Sequence, residues 1–65
     1  MTHDVEKVIL EFLRKRGPGT VGQISRAMIL SKGKVSRILK GLVAIDTVER
    51  IYDGNVEKFK AKEAS

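Results

Sequence analysis

The 65-residue sequence contains no cysteine and no tryptophan, and it has one proline and one histidine. Without cysteine there are no disulfides and no thiolate metal sites, which fits a reducing compartment. His3 alone cannot supply the converging ligands of a metal centre. Phe12, Tyr52 and Phe59 are the whole aromatic set. No apolar run approaches the ~20 residues of a membrane span. The start, Met1-Thr2-His3-Asp4, lacks the basic and apolar segments of a signal peptide, so a cytoplasmic location is expected. Neither Gly17-Pro18-Gly19-Thr20 nor Gly33 leads into the Gly-Lys-Ser/Thr of a phosphate-cradling loop. Glu6 and Glu11 fall on a solvated helix face rather than in a paired-carboxylate site. No nucleophile has an orienting base. The expectation is a chain without enzymatic activity, cofactor or small-molecule ligand. Its length allows one domain, which buries only about 60% of its unfolded surface and has little room for a deep cleft.

Acidic residues are missing from a specific place. The eight acids are Asp4, Glu6, Glu11, Asp46, Glu49, Asp53, Glu57 and Glu63, and none lies in the 34 residues from Phe12 to Ile45. That window holds Arg14, Lys15, Arg16, Arg26, Lys32, Lys34, Arg37 and Lys40. It therefore carries +8 of a net +5, leaving −3 for the rest. Surfaces ordinarily mix both signs. A central block of one sign points to a polyanionic partner.

The apolar pattern predicts a helix over about 3–16, with Val5, Val8, Ile9, Phe12 and Leu13 on one face. Arg14, Lys15 and Arg16 suit its C-terminal dipole, and Gly17-Pro18 stops it. Leu10 lies off this stripe, as an isolated exposed leucine or a dimer contact. Thr20 and Gln23 form a capping-box signature for a second helix over about 21–28, whose inner side is Val21, Ile24 and Met28. Ser31 can cap a third helix over about 32–43. Here Val35, Ile38, Leu39 and Leu42 form an apolar stripe, and Gly33, Ser36, Arg37 and Lys40 face the other way.

The segment from about 47 to 60 reads as an antiparallel hairpin. An Asp53-Gly54 turn would set Ile51 opposite Val56, Arg50 opposite Glu57, Glu49 opposite Lys58 and Val48 opposite Phe59. Sliding the strands so that Ile51 meets Lys58 and Arg50 meets Phe59 loses those matched pairs. The expected register leaves Ile51 and Val48 on opposite faces, with one apolar pair only partly buried. Residues 61–65 read as a frayed end.

The order of elements defines the fold class: mainly α with a small antiparallel hairpin, three helices followed by a two-stranded wing. The run Leu30-Ser31-Lys32-Gly33-Lys34-Val35-Ser36-Arg37-Ile38-Leu39-Lys40-Gly41-Leu42 resembles the recognition segment of winged helix-turn-helix regulators. It is most similar to MarR-like and related bacterial and archaeal domains. Thr20-Val21-Gly22-Gln23-Ile24-Ser25 resembles the start of their first motif helix. The resemblance spans about residues 5–60 and is specific only over 20–42. It implies binding of double-stranded DNA in transcription regulation, often as a homodimer. Two positions depart from the family. Ile29 stands where glycine is common because the backbone turns left-handed, so a β-branched residue there points to another turn geometry or to a helix boundary one residue off. The wing tip Asp53-Gly54-Asn55 lacks the arginine that many wings carry. Z-DNA-binding winged domains share a related third helix. However, Ser36 and Lys40 replace their asparagine and tyrosine, and Pro18 is the sole proline, so that reading is set aside.

A helix entering the major groove needs a slim outer face with donors. Lys32, Gly33, Ser36 and Arg37 are therefore assigned to base edges. Lys34, Lys40, Arg26 and Thr20 are assigned to phosphates, and Arg50, Lys58 and Lys60 to backbone flanking the wing. The alternatives are a winged-helix protein-interaction module and a non-specific nucleoid protein.

Overall fold

A computed structural model describes residues 3–62, and at His3 only the backbone. The readings of the His3 side chain, of Met1-Thr2 and of residues 63–65 lie outside the described residues. The elements are α1 (His3–Arg16), α2 (Val21–Met28), α3 (Lys32–Ala44), β1 (Val48–Asp53) and β2 (Val56–Ala61). Three helices thus precede a two-stranded antiparallel sheet, the winged-helix order. Among the described residues no helix is long and apolar enough to cross a membrane.

Local chemistry sets each helix boundary. Gly17, at φ +84°, ends α1 with its N–H donating to Leu13 O at 2.8 Å. Thr20 and Gln23 close a reciprocal capping box on α2: Gln23 N donates to Thr20 Oγ1 at 3.1 Å, and Thr20 N donates to Gln23 Oε1 at 3.0 Å. Ser31 Oγ accepts from Lys34 N at 3.1 Å and caps α3. At the far end of α3, Asp46 turns left-handed at φ 67°. Its N–H donates to Val43 O, and Thr47 N–H donates to Leu42 O. These two bonds satisfy carbonyls that a helix end otherwise leaves unpaired.

The turn between α2 and α3 carries strain. Ile29 adopts φ 56° and ψ 48°, the left-handed conformation for which the family's usual glycine is suited. Ser25 clasps the turn from both sides. Its carbonyl accepts from Leu30 N at 3.0 Å, and its hydroxyl donates to Leu30 O. Ile29 is 89% exposed, so its side chain returns little packing for the strain. A left-handed L-residue costs roughly 1–2 kcal/mol. Part of that is offset by the extra backbone entropy that glycine loses on folding. Ile29→Gly is therefore expected to stabilise the fold by about 1 kcal/mol and raise Tm by roughly 4–8 °C. Thermal melting followed by circular dichroism measures this, and a lower Tm would show that the turn is not strained.

The core gathers one or more residues from every element: Ile9 and Leu13 from α1, Ile24 from α2, Val35, Leu39 and Leu42 from α3, and Val48, Phe59 and Ala61 from the sheet. Leu10 is half-buried and packs against this cluster, so the off-stripe leucine belongs to the core margin.

The hairpin register corrects the expected one. Asp53 pairs with Val56, Tyr52 with Glu57, Ile51 with Lys58, Arg50 with Phe59, Glu49 with Lys60 and Val48 with Ala61. The turn is Gly54-Asn55, one residue further along, and Gly54 takes φ +66° while Asp53 stays extended. Glycine at the first central position suits a type II′ hairpin turn. The reason for the shift lies outside the hairpin. Gly19 pairs with Phe59 on the other edge of β2, with bonds of 3.0 and 2.8 Å in the two directions. Lys62 N also donates to Thr47 O, extending the ladder beyond Val48–Ala61. Val48, Phe59 and Ala61 then all face the helices, whereas Ile51 is half-buried and Val56 exposed on the outer face. Anchoring β2 at both margins outweighs the two apolar pairs that the other register offered.

Candidate nucleic-acid interface

α3 is pinned from behind and open in front. Val35, Leu39 and Leu42 are buried and Ile38 is half-buried. At about 100° per residue, the opposite face carries Gly33, Arg37, Lys40 and Ala44, all exposed. Lys34 and Gly41 form one exposed shoulder, while Ser36 on the other shoulder is half-buried. Lys32 sits at the first turn, and its stem runs beside α2: a Cβ on Gly22 would lie 3.8 Å from Lys32 Cε and from Thr20 Oγ1. The structure thus brings Lys32, Gly33, Arg37 and Lys40 to one accessible surface and places Ser36 at its edge.

Gly41 and Ala44 complete that face, and sequence reasoning did not single them out. A Cβ at Gly33 or Gly41 would meet nothing within 4 Å. Neither glycine is required by packing, and Gly41, inside the helix, costs about 1 kcal/mol relative to alanine. The outcome is a ridge with little side-chain bulk between its cations. The signal was present in the spacing of Gly33, Arg37 and Gly41, four residues apart.

Charge separates α3 from the wing. Among the described residues Lys32, Lys34, Arg37 and Lys40 enter no salt bridge. The wing cations are largely matched internally. Arg50 Nε lies 3.0 Å from Glu57 Oε2, and its guanidinium sits 5.7 Å from the Phe59 ring centre. Lys58 Nζ lies 3.4 Å from Asp53 Oδ2, and Lys60 stands opposite Glu49 in the ladder. Behind the wing, Lys62 pairs with Asp46, whose hydrogen bond holds the ammonium above the usual lysine pKa.

Thr20 is half-buried at the start of α2, its oxygen engaged by Gln23 N. Arg26 is exposed on α2 and shares a cleft with Arg16 at the end of α1. Among the described residues no three histidine, aspartate or glutamate side chains gather as metal ligands.

Solved structures with this fold are close. The apo-Zalpha domain of zebrafish PKZ is 29% identical over 94% of this chain and 95% of that chain, with a TM-score of 0.88. A MarR family protein from Bacillus stearothermophilus is 26% identical with a TM-score of 0.85, over 89% of this chain but 41% of that one. This chain therefore spans less than half the length of that MarR relative. The Zalpha domain of Carassius auratus PKZ, solved in complex with Z-DNA, shares the fold at 23% identity and a TM-score of 0.84, over 92% of this chain and 95% of that one. No curated protein sequence matches the chain. The sequence model of the IclR helix-turn-helix domain matches residues 8–51. With its capped α2, its left-handed turn, its outward-facing α3 and its hairpin, the chain belongs to the IclR helix-turn-helix domain family, a winged helix-turn-helix of the DNA-binding class.

Proposed function

We propose that the chain binds right-handed double-stranded DNA by placing α3 in the major groove, and that it serves transcription regulation. The observation that carries this reading is the outer face of α3, where cations that enter no salt bridge among the described residues stand among small residues. A major groove about 12 Å wide admits one helix of about 10–12 Å diameter, so side-chain bulk limits how deeply it seats. Arg37 can grip guanine through two parallel hydrogen bonds, with Lys32, Gly33 and Ser36 beside it at the base edges. Lys34, Lys40, Arg26 and Thr20 reach phosphates in this docking. Of the basic residues assigned to the wing, Arg50 and Lys58 are paired with Glu57 and Asp53 and add little to this docking, while Lys60 lies at its margin.

Left-handed DNA is a second reading, favoured by the fold match to a Zalpha domain solved with Z-DNA. Ser36 and Lys40 count against it, standing where those domains resemble one another in asparagine and tyrosine. Fluorescence anisotropy on a mixed-sequence duplex over about 50–200 mM salt tests the first reading. With about 4–6 phosphates neutralised, log affinity should fall against log salt with a slope of about −3.6 to −5.4. Absence of binding at low salt would end the proposal. Inversion of the circular dichroism of an alternating CG duplex would replace it with the second reading.

A further inference from the structure

We propose that the second phosphate-binding surface of this domain is the cleft between the end of α1 and α2, built on Arg16 and Arg26, and not the wing. The inference rests on the DNA reading above and adds a site to it.

The cleft has a volume of about 450 Å³ and is lined by Phe12, Arg16, Gln23 and Arg26, with the Gly17–Gly19 loop as its floor. No acid lines it, and it falls wholly inside the acid-free stretch. Among the described residues neither arginine enters a salt bridge. Arg16 is held over the Phe12 ring, 5.9 Å from its centre. Such stacking restrains a guanidinium and leaves its in-plane N–H groups free to donate. The loop's own donors are spent. Gly17 N–H goes to Leu13 O, Gly19 N–H to Phe59 O and Thr20 N–H to Gln23 Oε1, while Pro18 has none. Capture of an anion therefore falls to the two guanidinium groups and to the Gln23 amide nitrogen, whose oxygen already caps α2.

The cleft continues the α3 surface. From Lys32 the path crosses Gly22 and Thr20, then Gln23, and reaches Arg26 and Arg16 without meeting an acid. Because this surface is continuous and free of acid, a single phosphate strand can run along both ends of it. The wing offers the opposite balance. Arg50 and Lys58 would have to leave Glu57 and Asp53 before engaging phosphate, and the tip adds a negative Asp53. A cation already paired releases fewer counterions on binding, so it adds less to affinity and salt dependence.

The test compares paired variants of the full chain on one duplex across a salt series, with thermal melts as a check on folding. Arg16→Gln with Arg26→Gln should reduce the salt slope by about 1.8 in magnitude, the loss of two contacts. Base discrimination should stay unchanged. Arg16→Lys with Arg26→Lys should restore most of the slope, because the charge returns. Arg50→Gln with Lys58→Gln should alter it by well under one. A folded Arg16→Gln/Arg26→Gln protein with the wild-type slope would overturn the inference, as would a larger loss from the wing pair. If Lys34→Gln with Lys40→Gln lowers the slope while the cleft pair does not, DNA binding stands and the cleft fails. Without any wild-type binding both fail. Displacement of duplex by poly-glutamate at equal charge, abolished by the cleft variant, would also overturn the inference in favour of an acidic protein partner.

Discussion

Leu39→Ala is expected to cost 2–5 kcal/mol, the range for emptying a buried leucine site. Leu39 is 0% exposed and sits at the middle of the stripe that fastens α3 to the core. A domain this size has a total stability of roughly 3–10 kcal/mol at about 0.05–0.15 kcal/mol per residue. The single change therefore removes a large share of it, and at the weaker end unfolds the protein at room temperature. Urea denaturation should show a lower midpoint with little change in slope. Lys40→Ala, one residue on but solvent-facing, should stay within about 0.5 kcal/mol of wild type. Equal stability losses from the two would mean that α3 does not present the two faces described.

Arg37→Ala is expected to leave the fold intact and to remove about 1–3 kcal/mol of discrimination between a preferred duplex and a scrambled one. Arg37 is exposed at the centre of the outer face, with no acid paired to it among the described residues. Its planar fork can match guanine in two bonds, which lysine cannot reproduce. Arg37→Lys should therefore recover bulk affinity but not selectivity. Lys40→Ala should do the reverse of Arg37→Ala, weakening all duplexes alike and reducing the salt slope by about 0.9. Competition binding with preferred and scrambled duplexes separates the two. If both substitutions lower affinity only in proportion to stability, the face is a solvated helix surface.

The features legible in the sequence are those set by near neighbours. Thr20 with Gln23, and Ser31 with Lys34 N, act across three residues, so their residue types announce the helix starts. The 3.6-residue period places Val35, Leu39 and Leu42 inward whatever else the chain does. Three helices and a hairpin, in the winged-helix order, follow from these signals. Asp53-Gly54-Asn55, by contrast, allows two different two-residue turns, and cross-strand pairing alone favours the one not adopted. The deciding contact, Gly19 with Phe59, joins residues 40 positions apart and has no local signature. Isoleucine in place of glycine at position 29 speaks against the family's left-handed turn, yet the structure has that turn and ends α2 at Met28 as expected. Its left-handed geometry is kept because Ser25 bonds Leu30 through both its carbonyl and its hydroxyl.

The candidate site divides in the same way. The sign of its charge and the composition of α3 are local and were readable. The half-burial of Ser36 at the margin of the face and the placing of Arg16 beside Arg26 depend on how α1, α2 and α3 pack. Acidic partners for the wing cations are readable in the sequence: the observed register keeps Arg50 with Glu57, now as a diagonal neighbour, and moves Lys58 from Glu49 to Asp53. The proposed DNA binding therefore rests on α3 and its surroundings more than on the hairpin.

The most direct measurement is an amide chemical-shift map of the 65-residue chain titrated with a duplex. The largest changes are expected at Lys32, Gly33, Ser36, Arg37, Lys40 and Gly41, with smaller ones around Arg16 and Arg26 and little at the tip residues Asp53 and Gly54. Changes confined to the hairpin, or centred on the exposed apolar residues Val8 and Ile29, would contradict insertion of α3 into the groove.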